Sequence, residues 1–252
     1  EGADNRFLVM ATERGEVKRI ELEQFRNIRA NGLRAIDLEE GDVLRWVALT
    51  DGTYDVVLVT REGMSIRFRE DEVRTTGRAA GGVRGIKLEE GDRVVAMCVT
   101  QGKDELLVCT ELGMGKRTNM SLYRRQGRGG KGTRTLNITK RTGKLVAAQA
   151  VMPEDRVILI SQKGIVIKVP VTEVRKTGRS TQGVRIMSVA DGDALVSLER
   201  VASTAEADEE VDALERLEKS VPGAPAGNGA KEAVPAALEE EVSDAEGDSS
   251  DS

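Results

Sequence analysis

The sequence predicts an all-β protein built from propeller-like blades, and two observations carry this prediction. A unit of about fifty residues occurs four times, and the equivalent loops close on Gly32, Gly82, Gly132 and Gly183. Within each unit, alternating apolar and β-branched residues flank a glycine turn, which is typical of a β-hairpin. Helical periodicity is almost absent. Tandem β units of this size indicate blades arranged around an axis, each covering the faces of its neighbours.

Each unit is predicted to contain about four short strands. The hairpin turns carry Gly15, Gly63, Gly113 and Gly164, and a cation follows each glycine four residues later: Arg19, Arg67, Arg117 and Lys168. After the Arg/Gly-rich loop come a short strand, a turn and a last strand, predicted at 43–49, 93–99, 144–151 and 194–201. The four repeats therefore cover approximately 6–50, 55–100, 105–152 and 156–202.

Charge divides the chain into two parts. Its 252 residues carry 38 Lys+Arg and 43 Asp+Glu, a net charge of −5. The segment 203–252 alone has a net charge of −12, so the segment 1–202 has +7. The acidic segment is rich in Ala, Glu and Ser and lacks aromatic residues, so it cannot bury enough surface to offset its ordering entropy. We expect a basic folded domain over 1–202 and a disordered acidic tail over 203–252.

Composition also excludes several functions. The chain has no histidine, which rules out Ser-His-Asp and Cys-His nucleophile systems and mixed Cys/His zinc sites. No apolar run approaches the roughly 18 residues that a membrane span requires. Cys98 and Cys109 are expected to be reduced, buried residues of a cytoplasmic protein. We therefore expect no catalytic residue, metal or cofactor site in this chain, and no membrane partner.

The stretch from Leu122 to Arg134 is the most unusual one, because it combines cations and glycines with no acidic residue. Its glycines allow tight turns, and its exposed N–H groups and cations suit phosphate oxygens. It matches G-x-G-x-x-G and resembles the end of a P-loop, but neither the required helix nor the complete motif follows. Tyr123 is expected to pack or to lie at the surface. The loop is therefore interpreted as a candidate contact to a nucleic-acid backbone.

Equivalent loops in the other repeats are also basic. In a propeller, equivalent positions fall on one rim, so these cations are expected to form a curved belt suited to bending duplex DNA. Binding along such a belt would be largely independent of sequence and strongly dependent on salt. The candidate DNA-binding residues are Arg34, Arg74, Arg78, Arg84, Arg117, Arg124, Arg125, Gln126, Gly127, Arg128, Gly129, Gly130, Lys131, Gly132, Arg134, Arg175, Lys176, Arg179 and Arg185.

The repeats resemble the C-terminal, DNA-wrapping domain of the A subunit of DNA gyrase, over almost all of the predicted folded part. The segment from Gln126 to Gly132 resembles the family's gyrase box, Q-[RK]-R-G-G-[RK]-G, except that Gly127 replaces a basic residue. The phrases at 81–86, 113–118 and 181–185 also resemble the family's blades. This resemblance implies a β-pinwheel, a disc whose blades exchange strands.

The resemblance further implies that duplex DNA wraps around the rim and that the complete enzyme introduces negative supercoils. The implied partners are the rest of the gyrase A subunit, which forms a homodimer, and the gyrase B subunit, in a heterotetramer that uses ATP and Mg²⁺. The family's disc usually has six blades with the box in the first, whereas four repeats are visible here and the box-like segment lies in the third. Two upstream blades are therefore expected outside this chain.

Two alternatives remain open. One is the equivalent domain of topoisomerase IV, which guides decatenation, although the box-like segment argues against it. The other is a propeller that binds proteins, in which the basic belt serves an acidic partner or the chain's own tail.

Overall fold

A computed structural model describes residues 6–28 and 30–203 of the chain. The described residues belong to one compact unit that extends to Thr204. The predicted disordered tail, apart from Ser203, lies outside the described residues, so its disorder stays a prediction. None of the helices among the described residues is long and apolar enough to cross a membrane.

The regular secondary structure of the described chain is almost entirely β-strand, as the repeats predict. Its helical elements are single 3₁₀ turns at Leu22–Phe25, Glu70–Glu72, Met120–Leu122 and Val171–Glu173, one after each hairpin. The strands are β1 (Phe7–Thr12), β2 (Glu16–Glu21), β3 (Leu44–Thr50), β4 (Asp55–Thr60), β5 (Met64–Arg69), β6 (Val83–Arg84), β7 (Val94–Thr100), β8 (Glu105–Thr110), β9 (Met114–Asn119), β10 (Thr133–Arg134), β11 (Leu145–Val151), β12 (Arg156–Ser161), β13 (Val166–Pro170), β14 (Val184–Arg185) and β15 (Leu195–Val201). The predicted last strands agree with these bounds within one residue, and each predicted turn glycine lies between the two strands of its hairpin.

Four antiparallel sheets form the blades, and three of them contain a strand from the next repeat. The sheet orders are β3-β1-β2-β6, β10-β5-β4-β7, β11-β8-β9-β14 and β13-β12-β15. The two-residue strands β6, β10 and β14 each follow an Arg/Gly-rich loop and pair with the hairpin of the preceding repeat. This is the strand exchange that the family resemblance implied.

The sheet of the fourth blade has one strand fewer than the other three, although the fourth repeat contains the predicted four strands, β12 to β15. This sheet has three strands, because no fifth repeat among the described residues supplies a partner for β13. In the first repeat, the segment that contains Arg34 forms no strand, since no preceding sheet is present among the described residues to receive it.

Each hydrophobic core is shared by two neighbouring blades. On β4, Val56 and Leu58 pack toward the first blade, whereas Val57 and Val59 pack toward the third. This follows from the twofold alternation of side chains along a strand. The strand β4 is buried throughout because blades cover both of its faces. On β12, by contrast, buried and half-buried residues alternate, since only one face has a neighbour.

The sheet orders also define the rim of the blades. The strands β3, β7, β11 and β15 each form one edge of a sheet, and residues from all four line a single cavity of about 350 Å³. The donated strands β6, β10 and β14 form the opposite edge, farthest from this cavity. We call that edge, together with the Arg/Gly-rich loops that precede the donated strands, the rim.

Candidate nucleic-acid interface

Each donated strand ends in an exposed arginine. These junction arginines are Arg84, Arg134 and Arg185, and their Cα atoms pair with Glu16, Met64 and Met114 of the preceding repeats. The repeated register therefore places one guanidinium at each of the three described blade junctions. The predicted recurrence of these cations thus follows from the pairing of each donated strand at the edge of a sheet.

Glycine is required where the donated strand approaches its neighbour. Gly132 has φ +77°, and a Cβ atom there would lie 2.2 Å from the carbonyl oxygen of Ser65. Gly183 has φ +78°, and its Cβ would lie 2.6 Å from the carbonyl oxygen of Gly115. Only glycine adopts this conformation without steric cost while leaving room for the neighbouring backbone. These two glycines therefore determine where Arg134 and Arg185 stand.

The candidate cations separate into two groups. Those in the first group are exposed or half-buried, and their guanidinium groups make no hydrogen bond or ion pair within residues 6–28 and 30–203. They are Arg74, Arg78, Arg84, Arg124, Arg134, Arg175, Arg179 and Arg185. A guanidinium without a protein partner keeps its planar set of donors available to a phosphate group.

The second group contains cations that already have protein partners. Arg34 pairs with Asp37 at 3.1 Å, and Lys131 pairs with Glu89 at 2.7 Å; both pairs are exposed. Hydrogen bonding and charge from Glu89 raise the pKa of Lys131. Arg34 and Arg78 also line a surface cleft of about 430 Å³ between the first two repeats. Exposed ion pairs of this kind contribute little to stability, so Arg34 and Lys131 can exchange their partners for an anion.

The box-like loop, residues 124–132, lies across the second repeat. The Arg125 Nε donates to Asp55 Oδ2 at 2.8 Å. The Arg128 side chain donates to the carbonyl oxygens of Glu72 at 3.0 Å and Arg84 at 3.2 Å. The backbone N–H of Gly129 donates to the carbonyl oxygen of Gly85 at 2.6 Å. The loop is thus fastened to the neighbouring repeat at several points, and Arg124 has no such contact.

Buried carboxylates hold the second and third hairpins to the loops of the following repeats. Asp55, which is 1% exposed, contacts Arg67 at 2.6 Å as well as Arg125. Glu105 contacts Arg117 at 2.7 Å and Lys176 at 2.5 Å. Burial alone would raise the pKa of Glu105, but the hydrogen bonds and charges of these two cations outweigh it and lower the pKa.

The structure gives Arg117 a different place from the one predicted. Its side chain is 14% exposed, contacts Glu105, and donates from Nε to the carbonyl oxygen of Val174 at 2.6 Å. Because its donors face the protein, Arg117 joins the third hairpin to the fourth loop and does not belong to the exposed cation belt. Lys176, its neighbour on Glu105, keeps a half-exposed side chain.

Sequence reasoning missed two buried lysines beneath the rim. Lys18 and Lys116 are 1% and 0% exposed, and both donate from Nζ to backbone carbonyl groups of rim loops. They stand at the same repeat position, three residues after the turn glycine, where the other repeats have Ile66 and Ile167. A lysine that alternates with isoleucine at an inward strand position was the signal that could have identified them.

The aromatic and thiol groups near the rim are structural. Tyr123 is 2% exposed and its hydroxyl contacts Thr135 Oγ1, which confirms the expected packing role. Cys98 and Cys109 are free and buried, as predicted, and burial raises the pKa of each thiol to about 12. Neither thiol is therefore available as a thiolate at neutral pH.

The fold and the rim define a class of protein: a propeller whose blades exchange strands and whose rim carries recurring arginines. The match to a protein family is equally specific. The model described as the DNA gyrase C-terminal domain, beta-propeller, matches residues 6–51, 54–100, 104–152 and 155–202. The chain belongs to this family.

Known proteins resemble the chain in sequence and in structure. The DNA gyrase A subunit of Halalkalibacterium halodurans is 52% identical over 219 residues, which is 87% of this chain and 26% of that protein. The DNA gyrase A subunit of Streptococcus pyogenes serotype M3 is 60% identical over 185 residues, 73% of this chain and 22% of that protein. The chain thus spans about a quarter of the length of these relatives.

Two solved structures share the fold. The C-terminal domain of DNA topoisomerase IV matches with a TM-score of 0.77 at 25% identity, and the match covers 86% of this chain and 68% of the solved chain. The DNA gyrase A C-terminal domain matches with a TM-score of 0.73 at 28% identity, and the match covers 80% of this chain and 68% of the solved chain. Both confirm the predicted propeller-like arrangement of the blades.

Proposed function

We propose that this chain binds duplex DNA along its rim and bends it, largely independently of base sequence. The observation that carries the proposal is the recurrence, at each described blade junction, of an arginine whose guanidinium makes no hydrogen bond or ion pair among the described residues. Arg84, Arg134 and Arg185 stand at equivalent points of consecutive sheets, and further unpaired arginines lie in the loops beside them. Phosphate groups along a duplex also recur at regular spacing, so a curved row of guanidinium groups matches a bent backbone.

At the level of the complete enzyme, we infer that this domain wraps DNA for gyrase and so supports negative supercoiling. Family membership and the relatives among gyrase A subunits support this inference. The protein partners would be the remainder of the gyrase A subunit together with the gyrase B subunit, with ATP and Mg²⁺ acting elsewhere in a cytoplasmic complex. On this proposal the chain contributes DNA geometry, and the chemical steps belong to the other domains.

The test of DNA binding compares two variants of the full 252-residue chain. The triple variant Arg84→Ala, Arg134→Ala, Arg185→Ala removes the junction arginines. The control Arg93→Ala removes an exposed arginine that precedes β7, at the sheet edge opposite the rim. Affinity for a duplex of about 30 bp, a length over which bending is energetically significant, is measured by fluorescence anisotropy across salt concentrations.

The unmodified chain should bind with an affinity that falls steeply with salt. Each lost phosphate contact reduces the log–log slope by about 0.9, so the triple variant should lose about 3 units of slope while the control loses none. Equal slopes for the triple variant and the unmodified chain would reject the rim as the DNA site. A chain that binds no DNA at low salt, but forms a stable protein complex, would instead support the protein-binding propeller.

A second candidate is the corresponding role in topoisomerase IV, which the TM-score of 0.77 to that enzyme's C-terminal domain favours. The two candidates separate when the complete enzyme containing this domain acts on relaxed plasmid with ATP. Negative supercoiling identifies gyrase. Decatenation without supercoiling identifies the topoisomerase IV role.

A further inference from the structure

The buried lysines beneath the rim have an unusual set of partners. The Lys18 Nζ donates to the carbonyl oxygens of Ala35 at 2.8 Å, Arg78 at 2.9 Å and Ala80 at 2.7 Å. Three acceptors match the three protons of an ammonium group. Two of them belong to the rim loop of the second repeat, so one buried charge holds that loop from its inner side.

Lys116 repeats this arrangement two blades farther along. Its Nζ donates to the carbonyl oxygens of Gly178 and Arg179 and to Thr181 Oγ1 at 3.1 Å. All three acceptors lie in the rim loop of the fourth repeat. The carbonyl groups of Arg78 and Arg179 are equivalent in the two loops, and their side chains are among the unpaired guanidinium groups. In both loops, a buried cation therefore anchors the backbone of an arginine whose guanidinium makes no hydrogen bond or ion pair among the described residues.

The box-like loop lacks this anchor. At the equivalent strand position lies Ile66, which is fully buried, and its Cδ1 atom is 3.7 Å from where a Cβ on Gly130 would stand. This loop is instead fastened by Arg125 to Asp55 and by Arg128 to two carbonyl groups. The rim loops are thus held in two different ways. A buried lysine of the preceding repeat holds the second and fourth loops, whereas the box-like loop is held by its own arginines.

A buried ammonium group is costly unless it is fully hydrogen-bonded. Neither lysine makes an ion pair within the described part of the chain, so the charge is stabilised mainly by carbonyl and hydroxyl dipoles, with the more distant carboxylate of Asp37 also favouring the charged form of Lys18. Burial, with a contribution from the charge of Arg179, lowers the pKa of Lys116 to about 8. An apolar side chain such as that of Ile66 fills this position without that cost. The presence of lysine at positions 18 and 116 is therefore explained by the hydrogen bonds that it donates to the rim loops.

We propose that Lys18 and Lys116 are positioning residues of the rim, which hold the second and fourth loops in the conformation that presents Arg78 and Arg179 to a phosphate backbone. The lysines themselves contact no phosphate. Their contribution is preorganisation, because a loop that is already ordered loses less conformational entropy when DNA binds. This inference rests on the proposed DNA-binding function and assigns to it two residues that lie beneath the surface.

The test uses the full chain with Lys18→Met and Lys116→Met, singly and together. Ile66→Met is the matched control, since it changes the same strand position without removing a cation and nearly conserves volume. Arg179→Ala serves as the comparison for a direct phosphate contact. Affinity for duplex DNA is measured over a range of salt concentrations, after circular dichroism and thermal unfolding have confirmed that each variant is folded.

Each lysine variant should weaken DNA binding by about tenfold with an unchanged salt slope, because loop order is lost and no phosphate contact is removed. Arg179→Ala should reduce the slope by about 0.9. A slope that falls equally in Lys116→Met would show direct contact with DNA and overturn the positioning role. Unchanged affinity in the folded lysine variants would overturn it as well.

A second measurement on the unmodified chain does not depend on how the variants fold. Backbone ¹⁵N relaxation should give rigid order parameters of about 0.85 for residues 78–80 and 178–181 in the absence of DNA, and values below about 0.6 would refute the anchoring. The outcomes remain separable. An unmodified chain that does not bind DNA refutes the proposed function, whereas DNA binding that is indifferent to both lysines refutes the positioning role alone.

Discussion

The contact between Asp55 and Arg67 gives the sharpest stability prediction. We expect Asp55→Asn to destabilise the chain by about 3–5 kcal/mol, because it leaves a buried guanidinium without its counter-charge. Asp55 is 1% exposed and the Arg67 side chain is 9% exposed, with a separation of 2.6 Å. The Arg67 guanidinium also donates to the carbonyl oxygens of Met120 and Tyr123, so water does not replace the lost charge readily.

The chain offers a matched control for this prediction. Arg69 and Asp71 also lie 2.6 Å apart, but their side chains are 55% and 46% exposed. Asp71→Asn should therefore cost no more than about 1 kcal/mol, because exposed ion pairs contribute little. The two pairs have the same separation and differ in burial, although Asp55 also contacts Arg125, so the comparison sets the loss of a buried charge cluster against the loss of one exposed pair.

The assay is urea unfolding of the full chain at about 25 °C, followed by far-ultraviolet circular dichroism. At about 1.4 kcal/mol per tenfold, the expected loss corresponds to an increase of about a hundredfold or more in the unfolded-to-folded ratio. The slope of free energy against urea should stay constant, since both variants expose the same surface on unfolding. A cost for Asp55→Asn no larger than that for Asp71→Asn would refute the reasoning that this pair depends on burial.

Three further predictions concern single positions. Because burial raises the thiol pKa of Cys98 and Cys109 from 9.0 to about 12, the unfolded chain ionises first, and the free energy of unfolding should fall as pH rises above about 9. At a pH of about 10, urea titrations should attribute about 1.4 kcal/mol of that loss to each thiol, and Cys98→Ala or Cys109→Ala should remove its share; an identical pH dependence in both variants and the unmodified chain would contradict this. Gly132→Ala should cost at least about 1–3 kcal/mol in the same assay because its φ is +77° and the new Cβ meets the Ser65 carbonyl oxygen, whereas Gly127→Ala should be nearly neutral. Gly127→Arg should tighten DNA binding and steepen its salt slope by about 0.9, since among the described residues no heavy atom beyond the chain neighbours lies within 4 Å of a Cβ at this exposed position; an unchanged slope would argue against DNA contact at the box-like loop.

The repeat pattern was sufficient to predict propeller-like blades, but not the exchange of strands between them. Turn glycines and alternating residues specify hairpins locally, so the positions of β4 and β5, for example, follow from nearby sequence. The strand with which β10 pairs does not follow from nearby sequence. A two-residue strand has no periodicity of its own, and its partner β5 lies in another repeat. The strand exchange was therefore expected only from the family resemblance, because the residues of β10 carry no local signal for their partner.

The candidate site was predicted in composition but not in detail. In the sequence, Arg117, Arg124 and Arg125 are all candidate DNA-binding cations with nothing to distinguish them. Only the structure shows that buried carboxylates hold Arg117 and Arg125. Asp55 is 70 positions from Arg125, and only the folded blades bring them together. Lys18 was missed for a different reason: a lysine in a strand is usually assigned to the exposed face, and only a comparison with Ile66 and Ile167 at the same repeat position indicates an inward one.

The donated strands separate the repeat that is visible in the sequence from the unit that exists in the folded protein. A sheet is completed by a strand that lies beyond the end of its own repeat, as β14 completes the third blade. Deleting one repeat therefore removes the strand that completed the preceding sheet, which the following repeat must then replace, and inserting one requires a matching donor and acceptor on each side. Any rearrangement that changes the number of blades in such a chain preserves the fold only when its breakpoints occur at equivalent positions of two repeats, so that every hairpin keeps a following loop to complete it.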